Sequence, residues 1–281
     1  MKKLLVLALS AMLVLGFSFA AMAETKVTFA GEGQFGYDLE KDVDLSEFNI
    51  NVTAATDNVT LFGKIKTEKA TNDKSNYMTD EAWASVAIGS ATVKAGFFGW
   101  GFGGSKDLLD VAKDFKSQTG LSITAPIAEG FTGKLFYSLN ASTYEIGTAD
   151  GAVAAGLDYA NDVWGAGVAF GDTKKDNDQK VTGVTAFFIP VEGLKTYVTY
   201  TTQSYKAGSD EDDLLVGFYW TPVDNPFELR AEYNTEDSNA SKANDWAVRA
   251  FYKLNANAKL RYDIANKDDK DESSIRIVVS F

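Results

Sequence analysis

The sequence predicts an all-β fold, a transmembrane antiparallel β-barrel of about 16 strands. Strand-length segments of about ten residues, each able to cross a bilayer at a tilt, recur almost without interruption. The connections between them alternate between very short turns and longer polar stretches. At the end of the chain, Ile275, Ile277, Val279 and Phe281 share one face of a strand, and Ser274, Arg276, Val278 and Ser280 share the other. A strand that is apolar toward lipid, polar toward a watery lumen and aromatic at the interface has this pattern.

Residues 1–23 read as a signal peptide. Lys2 and Lys3 give a positive start, Leu4 to Ala21 is apolar, and Ala21-Met22-Ala23 is a small-x-small cleavage site before Glu24. The apolar run is long enough for an N-terminal anchor as the alternative. Residues 24–281 are expected to form the barrel. Beyond the leader no stretch approaches the ~20 apolar residues of a membrane helix.

Composition excludes several function classes. Without Lys2 and Lys3, the 27 basic residues become 25 against 39 acidic ones, a net charge of −14. That balance argues against a nucleic-acid partner. The chain has no Cys and no His. The missing Cys rules out a disulfide framework or thiolate chemistry. The missing His takes away the commonest general base and metal ligand. No enzymatic activity, cofactor or metal site is expected.

The strand segments read as 27–38, 45–56, 58–68, 78–89, 91–98, 117–126, 130–141, 151–160, 162–171, 180–190, 193–205, 211–221, 226–236, 243–254, 257–266 and 272–281. Asp57, Ser90, Asn161, Pro190-Val191-Glu192, Thr221 to Asn225 and Asn255-Ala256 mark short turns. Longer loops are expected at Leu39–Asp44, Lys69–Tyr77, Ser142–Asp150, Asp172–Gln179, Lys206–Asp210, Asp237–Lys242 and Lys267–Asp271. In the last third of the chain, Glu228, Arg230, Glu232, Arg249, Lys253, Lys259, Arg261 and Asp263 alternate with apolar residues. They are assigned to the lumen, where charges stay hydrated, because a solid core would make them costly.

The longest connection, Gly99 to Lys116, opens with glycines and continues with helical spacing. Leu108, Val111, Ala112 and Phe115 make an apolar stripe, with Asp107, Asp110 and Asp114 beside it and Ser105 as a cap. The stripe implies that this loop packs against something.

On these features the chain resembles the trimeric general porins of bacterial outer membranes. A terminal Phe after an alternating strand resembles the closing strand of outer-membrane proteins, and Phe102-Gly103-Gly104 loosely resembles the glycine motif in the porin third loop. The resemblance implies a sixteen-strand barrel whose long third loop folds into the lumen, with both termini on the periplasmic side. It implies passive diffusion of small hydrophilic solutes and ions, outer-membrane lipid as surroundings, and a homotrimer. It also implies that Asp107, Asp110 and Asp114 form the acidic side of a charged constriction. Small outward residues, among them Ala82, Ala84, Ala91 and Ala95, suit close contact between barrels.

The basic side is expected from the four arginines of the chain, Arg230, Arg249, Arg261 and Arg276. Each lies about four or five residues from the short-turn end of one of the last four strands, which places them in a band at one level. Lys64, Lys66, Lys94 and Lys134, with Glu32 and Gln34, are further lumen candidates. A guanidinium keeps its charge and its rigid fork, so the wall is expected to favour anions, with acidic loops opposing. Stabilising Arg–carboxylate pairs without a selectivity role are the alternative. Most aromatics are assigned to interfacial girdles, and only Phe62, Trp83 and Phe136 face inward. Three other readings stay open: a sugar- or phosphate-specific channel on the same barrel, a non-conducting structural or adhesive barrel, and a soluble β-sandwich.

Overall fold

The computed structural model describes residues 25–69, 75–100, 115–140, 153–173, 179–204, 210–238, 241–267 and 269–281. They form 16 strands: β1 (Lys26–Asp38), β2 (Val43–Ala55), β3 (Val59–Lys69), β4 (Ser75–Ile88), β5 (Ala91–Trp100), β6 (Phe115–Ala128), β7 (Phe131–Asn140), β8 (Val153–Ala160), β9 (Trp164–Thr173), β10 (Gln179–Val191), β11 (Leu194–Ser204), β12 (Glu211–Trp220), β13 (Phe227–Ser238), β14 (Ser241–Lys253), β15 (Ala258–Lys267) and β16 (Lys270–Ser280). Each pairs antiparallel with its sequence neighbours, and β1 pairs with β16 to close the barrel. Closure leaves no free sheet edge, which is what a bilayer demands of strands.

Outward side chains are apolar and open to the surroundings. Phe35, Tyr200, Trp246, Tyr262 and Ile277 all stand exposed on the barrel exterior. So continuous an apolar skin belongs against lipid. Rings gather where the strands meet the short turns: Phe131 packs on Tyr159 at 4.8 Å, Tyr159 on Trp164 at 4.7 Å, and Phe227 on Tyr252 at 5.0 Å. This is an interfacial girdle.

The short turns are set by local chemistry. Asn161 Oδ1 accepts from the backbone N–H of Val163 and Trp164, Asn225 Oδ1 from Phe227, and Asn255 Oδ1 from Asn257. Asn makes such turns by mimicking a backbone carbonyl. Gly193 turns β10 into β11 with φ of 80°, where a Cβ would meet the Thr221 carbonyl.

The opposite rim differs from expectation. Strands continue into segments that read as loops: Val43-Asp44, Ser75 to Tyr77, Asp172-Thr173, Asp237-Ser238, Ser241-Lys242 and Lys270-Asp271 are all strand. Pro190 and Val191 also lie in β10, leaving Glu192-Gly193 as the turn. Two long connections remain, 101–114 and 141–152. Gly99, Trp100, Phe115 and Lys116, expected in the third loop, belong to β5 and β6. The ladder extends because polar residues on both faces are tolerated where a strand rises past the lipid into water. Loop residues 101–114, with their expected helix, lie outside the described residues.

At the seam, Gly31 and Phe281 exchange backbone hydrogen bonds of 2.9 and 3.0 Å. The Phe281 ring lies over the bare Cα of Gly31 and stacks on Phe48 with centroids 5.6 Å apart. On the opposite rim, Lys41 Nζ donates to Glu272 Oε1 at 3.1 Å and Ser273 Oγ to Glu40 Oε1 at 2.8 Å, clasping the β1–β2 turn to β16.

Candidate functional site

Strand register turns the four arginines into a cluster. Arg230 stands directly opposite Arg249, and Arg261 directly opposite Arg276. Like charges directly opposite one another destabilise a sheet unless something compensates. Asp263 supplies the compensation. It stands opposite Arg249 and bonds to Arg249 Nε, it accepts from Arg261 Nε at 2.6 Å, and it lies 4.0 Å from Arg276 Nε. Gln34 Oε1 on β1 accepts from Arg261 Nη1 at 3.0 Å and Arg276 Nη1 at 3.3 Å. Arg230 is held by Glu228 at 3.8 Å, a carboxylate it shares with Lys253 at 3.6 Å.

A recess of about 290 Å³ opens here, lined by Arg249, Arg261, Arg276, Asp263, Asp38 and Lys41 among others. Three guanidiniums around one carboxylate leave the patch net positive. Bonding through Nε fixes each fork in the wall.

The polar wall runs on past the seam. Gln34 stands opposite Glu47, and Lys66 Nζ lies 3.7 Å from Glu47 Oε1. The band therefore reaches from β13 through β16 and β1 to β3. Lys64 stands opposite Glu81. Lys134 pairs with Asp158. Lys94 is placed differently, its Nζ lying 4.1 Å from the ring centre of Trp83 and 4.3 Å from that of Phe98. Asp107, Asp110 and Asp114 lie outside the described residues, so what faces the basic wall stays an expectation from sequence.

Lumen aromatics are more numerous than expected. Phe62, Trp83 and Phe136 are on the lumen face, and Phe98, Phe187, Tyr197, Tyr219 and Phe251 join them. Phe98 and Phe136 meet edge to face at 5.7 Å within a buried cluster with Ala154 and Val181. Tyr197, Leu215 and Ala247 form a second, with Phe187 and Tyr219 beside it. Several of these rings lie flat because the neighbouring strand offers glycine. A Cβ on Gly120 would strike Phe136, one on Gly165 would strike Phe187, and one on Gly217 would strike Tyr197. Tyr197 crosses Gly217 to bond Glu232 on the next strand but one. Parity was the signal for these rings: Phe251 is two residues from Arg249 and from Lys253, and Tyr197 is two from Lys195.

A model of the Gram-negative porin family matches residues 8–272. Among solved structures, a mutant of the Rhodopseudomonas blastica porin aligns with TM-score 0.67 and 16% identity, over 91% of this chain and 100% of that one. Another mutant of that porin aligns with TM-score 0.63 and 16% identity over the same shares. A loop-deletion form of OmpT, an outer membrane protein of Vibrio cholerae, aligns with TM-score 0.59 and 15% identity over 92% of this chain and 99% of that one. No curated protein matches the sequence.

Proposed function

Because this chain belongs to the Gram-negative porin family of outer-membrane channels, we propose that it passes small hydrophilic solutes and ions passively and favours anions at a charged constriction. The observation that carries the reading is the wall of β13–β16. Four guanidiniums stand there in two directly opposed like-charged pairs, with Asp263 and Glu228 among their carboxylate partners. A wall built only for stability gains nothing from opposing Arg to Arg. In a lumen not much wider than a Debye length, such charge biases which ions enter. Lys64, Lys66 and Lys94 extend the basic side, and Asp107, Asp110 and Asp114 form the acidic side. We further propose export by the leader at 1–23, which is then removed, and assembly as a homotrimer.

The experiment is reversal potential in a planar bilayer under a KCl gradient, using purified mature protein. An anion-directed potential is expected, and Arg261→Gln with Arg276→Gln should move it toward cations. A cation-directed potential that the double variant leaves unchanged would refute the assignment. No conductance from folded protein would leave a blocked barrel.

A further inference from the structure

Across six adjacent strands the lumen face carries a ring and a cation in turn: Phe187 on β10, Lys195 on β11, Tyr219 on β12, Arg230 on β13, Phe251 on β14 and Lys259 on β15. Neighbours along this stripe touch. Lys195 Nζ is 4.3 Å from the Phe187 ring centre and its residue stands opposite Tyr219. The Arg230 guanidinium carbon is 5.2 Å from the Tyr219 centre and 5.1 Å from that of Phe251, and Lys259 Nζ is 4.2 Å from Phe251. Every residue of the stripe is close to a short turn, so it lines the short-turn mouth of the lumen. Neither Lys195 nor Lys259 forms an ion pair among the described residues. Their charges rest on ring faces, which attract a cation without neutralising it.

At its β10–β12 end the stripe opens into a recess of about 330 Å³, lined by Phe187, Lys195, Tyr197, Tyr219, Thr185 and Asp158. The inner face of β9 below it carries Gly165 and Gly167, so the Phe187 ring and the Asp158 carboxylate lie down over bare backbone there. Lys195 is exposed here, whereas Phe251 is buried between Arg230 and Lys259. Small-ligand recesses combine apolar surface with a few convergent polar groups, and this one lies at the small end of their size range. Asp158 is engaged by Lys134, which leaves Lys195 as the uncompensated charge of the recess.

We propose that this recess is a solute-binding subsite for ring-bearing carboxylates. The ring lies against Phe187, Tyr197 and Tyr219, and the carboxylate is held by Lys195 with Arg230 on the far side of Tyr219. An inorganic anion finds the cations and gains nothing from the rings. A neutral ring finds the rings and leaves the ammonium without a counter-charge. The subsite selects for both features in one molecule. It rests on the channel reading above, and it adds retention to passive diffusion.

The test uses mature full-length protein in a planar bilayer in KCl, with benzoate, acetate, benzyl alcohol or glucuronate added to either side. Benzoate should interrupt the open current at concentrations where acetate and benzyl alcohol do not, and more effectively from the short-turn side. Lys195→Gln and, separately, Phe187→Leu should each raise the half-blocking concentration by about fivefold, the effect of one exposed ion pair or one ring pair. Both should keep open steps and the heat-modifiable gel shift of a folded barrel. Interruption by glucuronate as well as benzoate supports the site and widens its ligand class to sugar acids. Interruption by benzoate alone confines the class to aromatic acids. Equal responses to benzoate and acetate, or block unaltered in both variants, would overturn the subsite while leaving the channel standing. Absence of open steps in the unsubstituted protein would remove the channel and the subsite together.

Discussion

Asp263→Asn should raise the anion preference of the channel and weaken the barrel. The substitution keeps the shape of the side chain and removes the charge that three guanidiniums share. In a sixteen-strand barrel a wall charge lies about 10 Å from the axis. One unit charge at that distance in water contributes about 0.4 kcal/mol to a monovalent ion before screening. Screening at 0.1 M salt cuts this to roughly 0.15 kcal/mol, and 0.01 M salt leaves about 0.3 kcal/mol. Anions gain what cations lose, so the permeability ratio should rise by about 1.7-fold at 0.1 M and about 2.7-fold at 0.01 M. The Asp263 side chain is only 17% exposed, and its partners are between 11% and 22% exposed. Removing its charge therefore strands donors that water only partly reaches, at a cost of about 1–3 kcal/mol. Reversal potential at the two salt concentrations reads the first effect, and urea unfolding in detergent reads the second. Arg261→Gln should move the ratio the opposite way. The reasoning fails if the two variants shift the potential in the same direction, or if the shift is independent of salt.

Gly217→Ala should cost about 1–3 kcal/mol by overpacking, because its Cβ meets Tyr197 and lies 2.9 Å from the Ala231 carbonyl. It should also reduce the single-channel step as the ring swings off the wall. Phe281→Ala should lower the urea midpoint by the worth of its ring pair with Phe48, about 1 kcal/mol, and slow barrel closure in refolding gels. The hydrogen bond and charge of Glu272 raise the Lys41 pKa above its ordinary 10.5. The clasp is therefore fully present below about pH 10.5 and lost as pH climbs through the raised value. Amine-reactive labelling at pH 10 should modify Lys41 faster in Glu272→Gln, and equal labelling rates would remove the clasp.

Strand number and order were legible because alternation survives even where hydropathy is low: β13 to β16 show it residue by residue. The rim was not legible. Asp237-Ser238 and Lys270-Asp271 are polar throughout, and polarity alone cannot separate a loop from a strand that stands in water. Lumen rings were missed for a related reason. Faces are read from polarity, so Phe187, Tyr197 and Phe251 are not among the inward candidates, although parity with Lys195 and Arg249 puts them inside. The arginine band comes from counting positions to the turn; register sets Arg230 opposite Arg249 and Arg261 opposite Arg276. Asp263 as its hub was not foreseeable, since only the pairing of β14 with β15 and of β15 with β16 brings three guanidiniums to one carboxylate.

The β1–β16 seam carries a consequence for biogenesis. Its ladder joins Glu32 to Ser280, so the earliest strand made waits for the last before its edge is covered. Throughout synthesis and transit that edge is a bare template for any other β segment, including a sister chain. Contacts so distant in sequence form slowly. An escort that masks the β1 edge until β16 arrives would remove that hazard, and without one the unfolded chain should aggregate through β1 while barrels already closed keep their channel.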